Sequence, residues 1–185
     1  MTLKKMTAAG NTFYLLDMNE CILDGVLILS QSKVADIKMR ILNRDGSEAE
    51  MCGNGVRCVG RYLGRNCRVE TLSGIKNVEI KGDKISVDMG QIKNPHKVFF
   101  YDNKDINCEF VKVLARNVLQ MTVFERGVGE TLACGTGACA AVIEAIKENY
   151  CDYDTNVTVK CKGGDLFVMV SSNGDIILSG DAAMG

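Results

Sequence analysis

MCGNGVRCVG, Met51 to Gly60, and ACGTGACAAV, Ala133 to Val142, carry the same phrase: a cysteine, then Gly-x-Gly, then a run of small and apolar residues at helical spacing. The likeness extends upstream. NRDGSEAEMC (43–52) precedes the first phrase and ERGVGETLAC (125–134) the second. Each has an arginine in second place, Arg44 and Arg126, and a glutamate four residues before the cysteine, Glu48 and Glu130. Cys52 and Cys134 are 82 residues apart. Further out, Asn11 of GNTFYLLD falls opposite Asn94 of KNPHKVFF, and DGVLIL from Asp24 falls opposite NCEFVKV from Asn107, each 83 residues on. Four blocks at a nearly fixed offset, present twice, point to a duplicated domain rather than a solenoid.

Each half reads as strands (TFYLLD, GVLILS and DIKMRIL; KVFFYD, EFVKVL and LQMTVF), a glycine turn, then a helix opened by the cysteine. The helices are expected at about 55–65 and 137–149, the first closed by Gly64 as a C′ residue. More strands follow, with hairpin turns at Lys-Gly-Asp-Lys and Ser-Asn-Gly-Asp. The expected class is α+β, with two pseudo-symmetric lobes, each a mainly antiparallel sheet around one central helix. The expected division is 1–91, joined by a C-terminal strand at about 176–185, and 92–175.

Composition narrows the function. The chain has 185 residues, 46% of them hydrophobic and 24% charged, with a net charge of −1. No basic stripe suggests nucleic acid, and no run reaches the ~18 apolar residues of a membrane span. No nucleic-acid or membrane partner is expected, and the cytoplasm is the expected location. The nine cysteines are an odd number with no C-x-x-C pair and a single histidine, His96, so neither a disulfide framework nor a Cys/His metal site is expected.

A helix start has free N–H groups and the positive end of the helix dipole, and both favour an anion. A cysteine placed there gains thiolate character, since such thiols fall below their usual pKa of about 8.5. The glycines let a ligand approach the backbone. Two such helix starts facing one pocket would hold a carboxylate with its α-carbon between two sulfurs. One thiolate would remove the α-proton and the opposite thiol would return one to the other face. Such a reaction inverts the stereocentre and swaps the roles of the sulfurs on reversal, which suits a duplicated frame.

NRDGSEAEMCGNGVRC, KNPH, NCEFV and ERGVGETLACGTGACAAV closely resemble the diaminopimelate epimerase family, and the likeness runs from KKMTAAGNTF to ILSG. The resemblance implies a curved sheet wrapped around the central helix of each lobe. It also implies an isomerase that needs no cofactor and no metal, turning LL-diaminopimelate into the meso form in lysine and peptidoglycan precursor synthesis. By the same resemblance, Cys52 and Cys134 form the acid/base pair, assisted by His96 and Glu125. Gly53, Asn54, Gly135 and Thr136 present backbone N–H groups to the α-carboxylate. Asn43, Glu125 and Arg126 hold the substrate's amino and distal carboxylate ends, Asn11, Asn94 and Asn107 make its remaining polar contacts, and the enzyme is a homodimer.

The chain departs from the family in matched places. Only six residues, Met18 to Leu23, separate FYLLD from DGVLIL, and four, Asn103 to Ile106, separate VFFYD from NCEF, where the family has a helical excursion. The family's HGLGND reads TAAGNT here, and GNPHC reads KNPHK. Two other readings therefore stay open: a related racemase of another amino acid, and a trimmed homologue that binds without catalysing. The remaining cysteines, Cys21, Cys58, Cys67, Cys108, Cys139, Cys151 and Cys161, are expected to be buried small apolar residues. Arg44, Glu48 and Glu130 are expected to be structural, with both glutamates accepting from backbone N–H groups near the helix starts.

Overall fold

The computed structural model describes residues 4–9, 11–15, 25–43, 46–91, 108–125 and 129–184. The chain divides into two compact units, Met1–Val87 with Gly180–Gly185, and Asp88–Ser179.

The first unit contains β1 (Lys4–Ala8), β2 (Asn11–Leu15), β3 (Gly25–Ser30), β4 (Ile37–Asn43), β5 (Glu48–Ala49), α1 (Gly53–Leu63), β6 (Cys67–Thr71), β7 (Gly74–Lys81), the first four residues of β8 (Lys84–Gly90), whose end belongs to the second unit, and the late strand β15 (Ala183–Met184). Its sheet runs β8-β7-β6-β4-β3-β2-β1-β15, and β5 also pairs with β4. The apolar residues follow the two-residue period of strands: Ile85, Val87 and Met89 of β8 are buried, as are Cys67 and Val69 of β6. Residues Gly53 to Gly60 of α1 are all buried, so the sheet encloses the helix from its first turn.

The second unit contains β9 (Cys108–Ala115), β10 (Val118–Glu125), β11 (Gly129–Thr131), α2 (Gly135–Lys147), β12 (Val157–Cys161), β13 (Gly164–Val170) and β14 (Ile176–Gly180). Here β10 pairs with β9, β11 and β12, and the sheet continues through β13 to β14. Leu119, Met121, Val157, Val159, Leu166, Val168 and Leu178 form its core with Ala138, Ala141 and Val142 of α2.

The duplication is preserved pair by pair. In β4 and β5, Ile41 lies opposite Ala49; in β10 and β11, Val123 lies opposite Thr131, each 82 residues on. Leu27 opposite Ile41 likewise becomes Glu109 opposite Val123. Beyond the helices the offset grows to 90: Cys67 opposite Val78 becomes Val157 opposite Val168. The growth comes from α2, which is 13 residues long against 11 for α1, and from the longer link that follows it. The ladder corrects one sequence alignment. The offset in β3 and β9 is 82, not 83, so Glu109 matches Leu27.

Both helices begin two residues before the expected positions, because the cysteine is itself the N-cap. Gly64 does close α1, in the left-handed region at φ 67°, with its N–H donating to the Gly60 carbonyl. Most strand pairs are antiparallel as expected. The exceptions include β4 with β6 and β10 with β12, both parallel. Parallel neighbours need a crossover, and in each unit the cysteine-capped helix is that crossover.

Candidate active site

Cys52 has extended backbone at φ −136° and ψ 115°, and its Sγ accepts the Gly55 N–H at 3.3 Å. Cys134 repeats this at φ −125° and ψ 118°, with Sγ accepting the Gly137 N–H at 3.4 Å. Each cysteine carbonyl then starts the helix, accepting from Val56 at 2.9 Å and from Ala138 at 3.0 Å. The sulfur thus takes the place of an N-cap oxygen. Both cysteines are half-buried.

With Gly55 and Gly137 directed at sulfur, the N–H groups of Gly53 and Asn54, and of Gly135 and Thr136, remain in the first turn of their helices, where helix geometry gives them no internal acceptor. Two adjacent N–H donors on the positive end of a helix suit one carboxylate. The Thr136 hydroxyl lies 3.3 Å from Cys134 Sγ, placing a second hydrogen-bonding group on that sulfur.

The structure adds a residue that the sequence reading missed. Arg57, fully buried, donates from Nη2 to Asn54 Oδ1 at 2.6 Å. This fixes the Asn54 side chain inward and leaves its backbone N–H as the group available to a ligand. The i, i+3 spacing of Asn54 and Arg57 was the available signal, since such residues are neighbours on a helix.

Asn43 ends β4, where its side-chain amide donates to Ser47 Oγ at 3.0 Å and its N–H to the Ser47 carbonyl at 2.8 Å. Asn11 opens β2, with its Cα opposite Ala8 of β1, and Glu125 closes β10 opposite Gly129. Asn94, His96, Asn107 and Arg126 lie outside the described residues, as do Arg44 and Cys21.

Glu48 and Glu130 bind side chains rather than the backbone. Glu48 receives Arg40 Nε at 2.6 Å, and Glu130 receives Lys162 Nζ at 3.2 Å. Both sit on short strands facing solvent, where a flexible cation reaches them more easily than an enclosed helix start does. The Arg40 hydrogen bond holds the Glu48 carboxyl below its usual range.

Cys58, Cys67, Cys108, Cys139 and Cys151 are buried, as their small apolar character suggested, whereas Cys161 is only half-buried. Burial, with a smaller contribution from Cys52, pushes the Cys58 thiol up to about 12. Burial also raises Cys67 and Cys151. No helix among the described residues is long and apolar enough to cross a membrane.

The chain is similar to known proteins. The family profile described as Diaminopimelate epimerase matches residues 19–95 and 95–185. A diaminopimelate epimerase of Acetivibrio thermocellus is 35% identical, covering 86% of this chain and 80% of that protein. One from Pelotomaculum thermopropionicum is 34% identical over the same shares, and one from Methanococcus maripaludis is 33% identical over 86% and 81%. Solved structures share the fold at low identity. A hydroxyproline epimerase from Agrobacterium vitis superposes with a TM-score of 0.77 at 9% identity, over 99% of this chain and 88% of that one. A phenazine biosynthesis protein of the PhzF family from Bacillus anthracis superposes at 0.76 and 15% identity, over 98% and 96%. The profile matches reach across both cysteine-capped helices, and with relatives at this identity and coverage they establish that the chain belongs to the diaminopimelate epimerase family.

Proposed function

We propose that the protein interconverts LL- and meso-diaminopimelate by a two-base reaction on the α-carbon. The observation that carries this reading is the matched capping of Cys52 and Cys134, each holding a sulfur 3.3–3.4 Å from a first-turn N–H beside two further donors. The names of the relatives supply the substrate.

The carboxylate is received by the N–H groups of Gly53, Asn54, Gly135 and Thr136. One cysteine, as thiolate, takes the α-proton. The electron pair left on carbon delocalises into the carboxylate, where those donors meet the growing charge. The other cysteine, as thiol, delivers its proton to the opposite face, so one thiolate and one thiol remain and no net proton is consumed. Donors aimed at developing charge are each worth about 3–4 kcal/mol in comparable sites, and correct placement of the reacting groups contributes about 7–11 kcal/mol.

In this reading His96 and Glu125 assist proton transfer, Asn43, Glu125 and Arg126 hold the substrate's amino and distal carboxylate ends, and Asn11, Asn94 and Asn107 complete the binding set. No cofactor or metal takes part. The enzyme works as a homodimer in the cytoplasm, and sedimentation tests the dimer.

The experiment is incubation in D₂O with LL-diaminopimelate, meso-diaminopimelate and a panel of other amino acids, following α-deuterium and chirality. Uptake with inversion on diaminopimelate supports the proposal. Inversion confined to other amino acids replaces the substrate, and no exchange with any amino acid by reduced protein overturns the enzymatic reading.

A further inference from the structure

The two copies differ beneath their helix starts. Under α1, Gly55 lies on Leu27: a Cβ added at Gly55 would stand 2.9 Å from Leu27 Cδ2. Under α2, Gly137 lies on Glu109, where an added Cβ would stand 2.9 Å from Glu109 Cγ and nearer still to Oε1. Leu27 and Glu109 are the same ladder position, opposite Ile41 and Val123. Both are buried, at 0% and 2% exposure. Gly55 and Gly137 are the two residues whose N–H groups hold the sulfurs. One sulfur's donor is therefore backed by a hydrocarbon side chain and the other's by a carboxyl group.

A second difference has the opposite sign. Arg57 is fully buried in the second turn of α1 and bonded to Asn54. The residue 82 further on is Cys139, so α2 has no cation there. Glu48 and Glu130 do not distinguish the copies, since each is an exposed carboxylate paired with a cation, Arg40 and Lys162. The unmatched charges are Asp181, whose carboxylate acts on Cys58 of α1, and Glu125, which has Asn43 at the matching position.

We infer that Glu109, beneath the start of α2, and Arg57, in the second turn of α1 and bonded to its first-turn Asn54, are buried groups of opposite sign that decide which sulfur carries the proton between turnovers: Cys52 rests as thiolate and Cys134 as thiol. A cation near a helix start adds to its positive end and favours a neighbouring anion; a carboxylate offsets that end and disfavours one. Environments that separate two similar groups assign their acid and base roles. This rests on the two-base reading and gives it a resting direction. The free enzyme is set to take the α-proton with Cys52 and return one from Cys134, and each turnover in that direction leaves the sulfurs exchanged until the proton moves back. Glu109 and Arg57 act through the cysteines and are positioning residues.

The test is alkylation of reduced, substrate-free protein with iodoacetamide across roughly pH 5 to 10, each cysteine quantified by peptide mass spectrometry. Dividing each rate by its own high-pH plateau removes differences in access. Near neutrality the normalised rate at Cys52 is expected to exceed that at Cys134 about tenfold, the effect of one charged neighbour. Glu109→Gln, which keeps the shape, raises the Cys134 value about tenfold and leaves Cys52 within about twofold. Arg57→Gln lowers the Cys52 value. Equal wild-type values, or a Cys134 value unmoved by Glu109→Gln, overturn the inference; if that variant does not fold, the wild-type ratio alone decides. A purely structural Glu109 would lower the melting temperature without moving the ratio. Deuterium exchange by the wild type separates the two failures: exchange with equal sulfurs sinks this inference alone, and unequal sulfurs without exchange sink the two-base reading.

Discussion

Cys52 caps α1 and Cys58 lies in its second turn, and the fold treats them oppositely. Cys52 caps the helix, half-buried, with an N–H on its sulfur. Cys58 is 0% exposed, and burial pushes its thiol up to about 12. Its proton stays on throughout the neutral range, and it packs as a small apolar group. Native protein treated with iodoacetamide near neutrality is therefore expected to be labelled at Cys52 and not at Cys58, with Cys58 labelled only after unfolding in urea. Peptide mapping checks this, and rapid native labelling of Cys58 would contradict it. The Cys-Gly-x-Gly phrase made this contrast legible in the sequence, because it distinguishes a capping cysteine from those farther along the helix. Arg57 and Glu109 were not legible as buried groups. A charged residue reads as a surface residue, and a one-residue slip in aligning the copies puts Glu109 on the wrong face of its strand. Only the observed ladder sets it over Leu27.

At the scale of elements, the two helices end differently. α1 stops at Gly64, whose left-handed φ of 67° any L side chain strains to adopt. Gly64→Ala is expected to cost about 1 kcal/mol, read as a lower melting temperature with unchanged exchange activity. α2 runs two residues further, and its exit is tied down by polar groups instead. Asp152 receives Arg116 Nε at 2.8 Å and Asn117 Nδ2 at 2.8 Å, and its own N–H donates to Asn117 Oδ1 at 2.8 Å. This lashes the helix exit to the turn between β9 and β10. The Arg116 hydrogen bond, then that of Asn117, holds the Asp152 carboxyl below its ordinary value of 3.8. A carboxyl lowered by folding stabilises above its unfolded value and loses that contribution as pH falls through its folded value. Asp152→Asn is therefore expected to lower the melting temperature at neutral pH and to leave it unchanged once the pH is below both values. An equal loss at both pH values would show that the ion pair is not the cause. Gly64 was readable as a helix stop, whereas this lashing joins residues 35 apart and leaves no local pattern.

For the whole molecule, the sequence repeat carried most of the architecture. Two helices, the strands around them and their common order were visible because a duplicated chain marks corresponding elements twice. The parallel pairs were less visible, since strand direction depends on the crossover and not on the alternation of side chains. Pairing between the two ends of the first unit leaves no periodic signal either. There β15 lies antiparallel to β1, with Met184 opposite Met6, and the Ala182 carbonyl accepts Arg61 Nε at 2.8 Å. Removing residues 181–185 uncovers the edge of β1 and takes the acceptor from Arg61 Nε, leaving that arginine its Asp83 contacts. The truncated protein is expected to melt at lower temperature and to show faster amide exchange in β1, and unchanged protection of β1 would contradict the pairing.

The central claim is that two cysteines, one from each copy, work on a single α-carbon, and deuterium transfer in D₂O with single-cysteine variants tests it most directly. The wild type is expected to place deuterium at the α-carbon of diaminopimelate with inversion of configuration. Cys52→Ala and Cys134→Ala are each expected to lose inversion by orders of magnitude while remaining folded, because either change removes one partner of the proton exchange. A variant of either cysteine that still inverts the stereocentre at near wild-type rate would contradict the account.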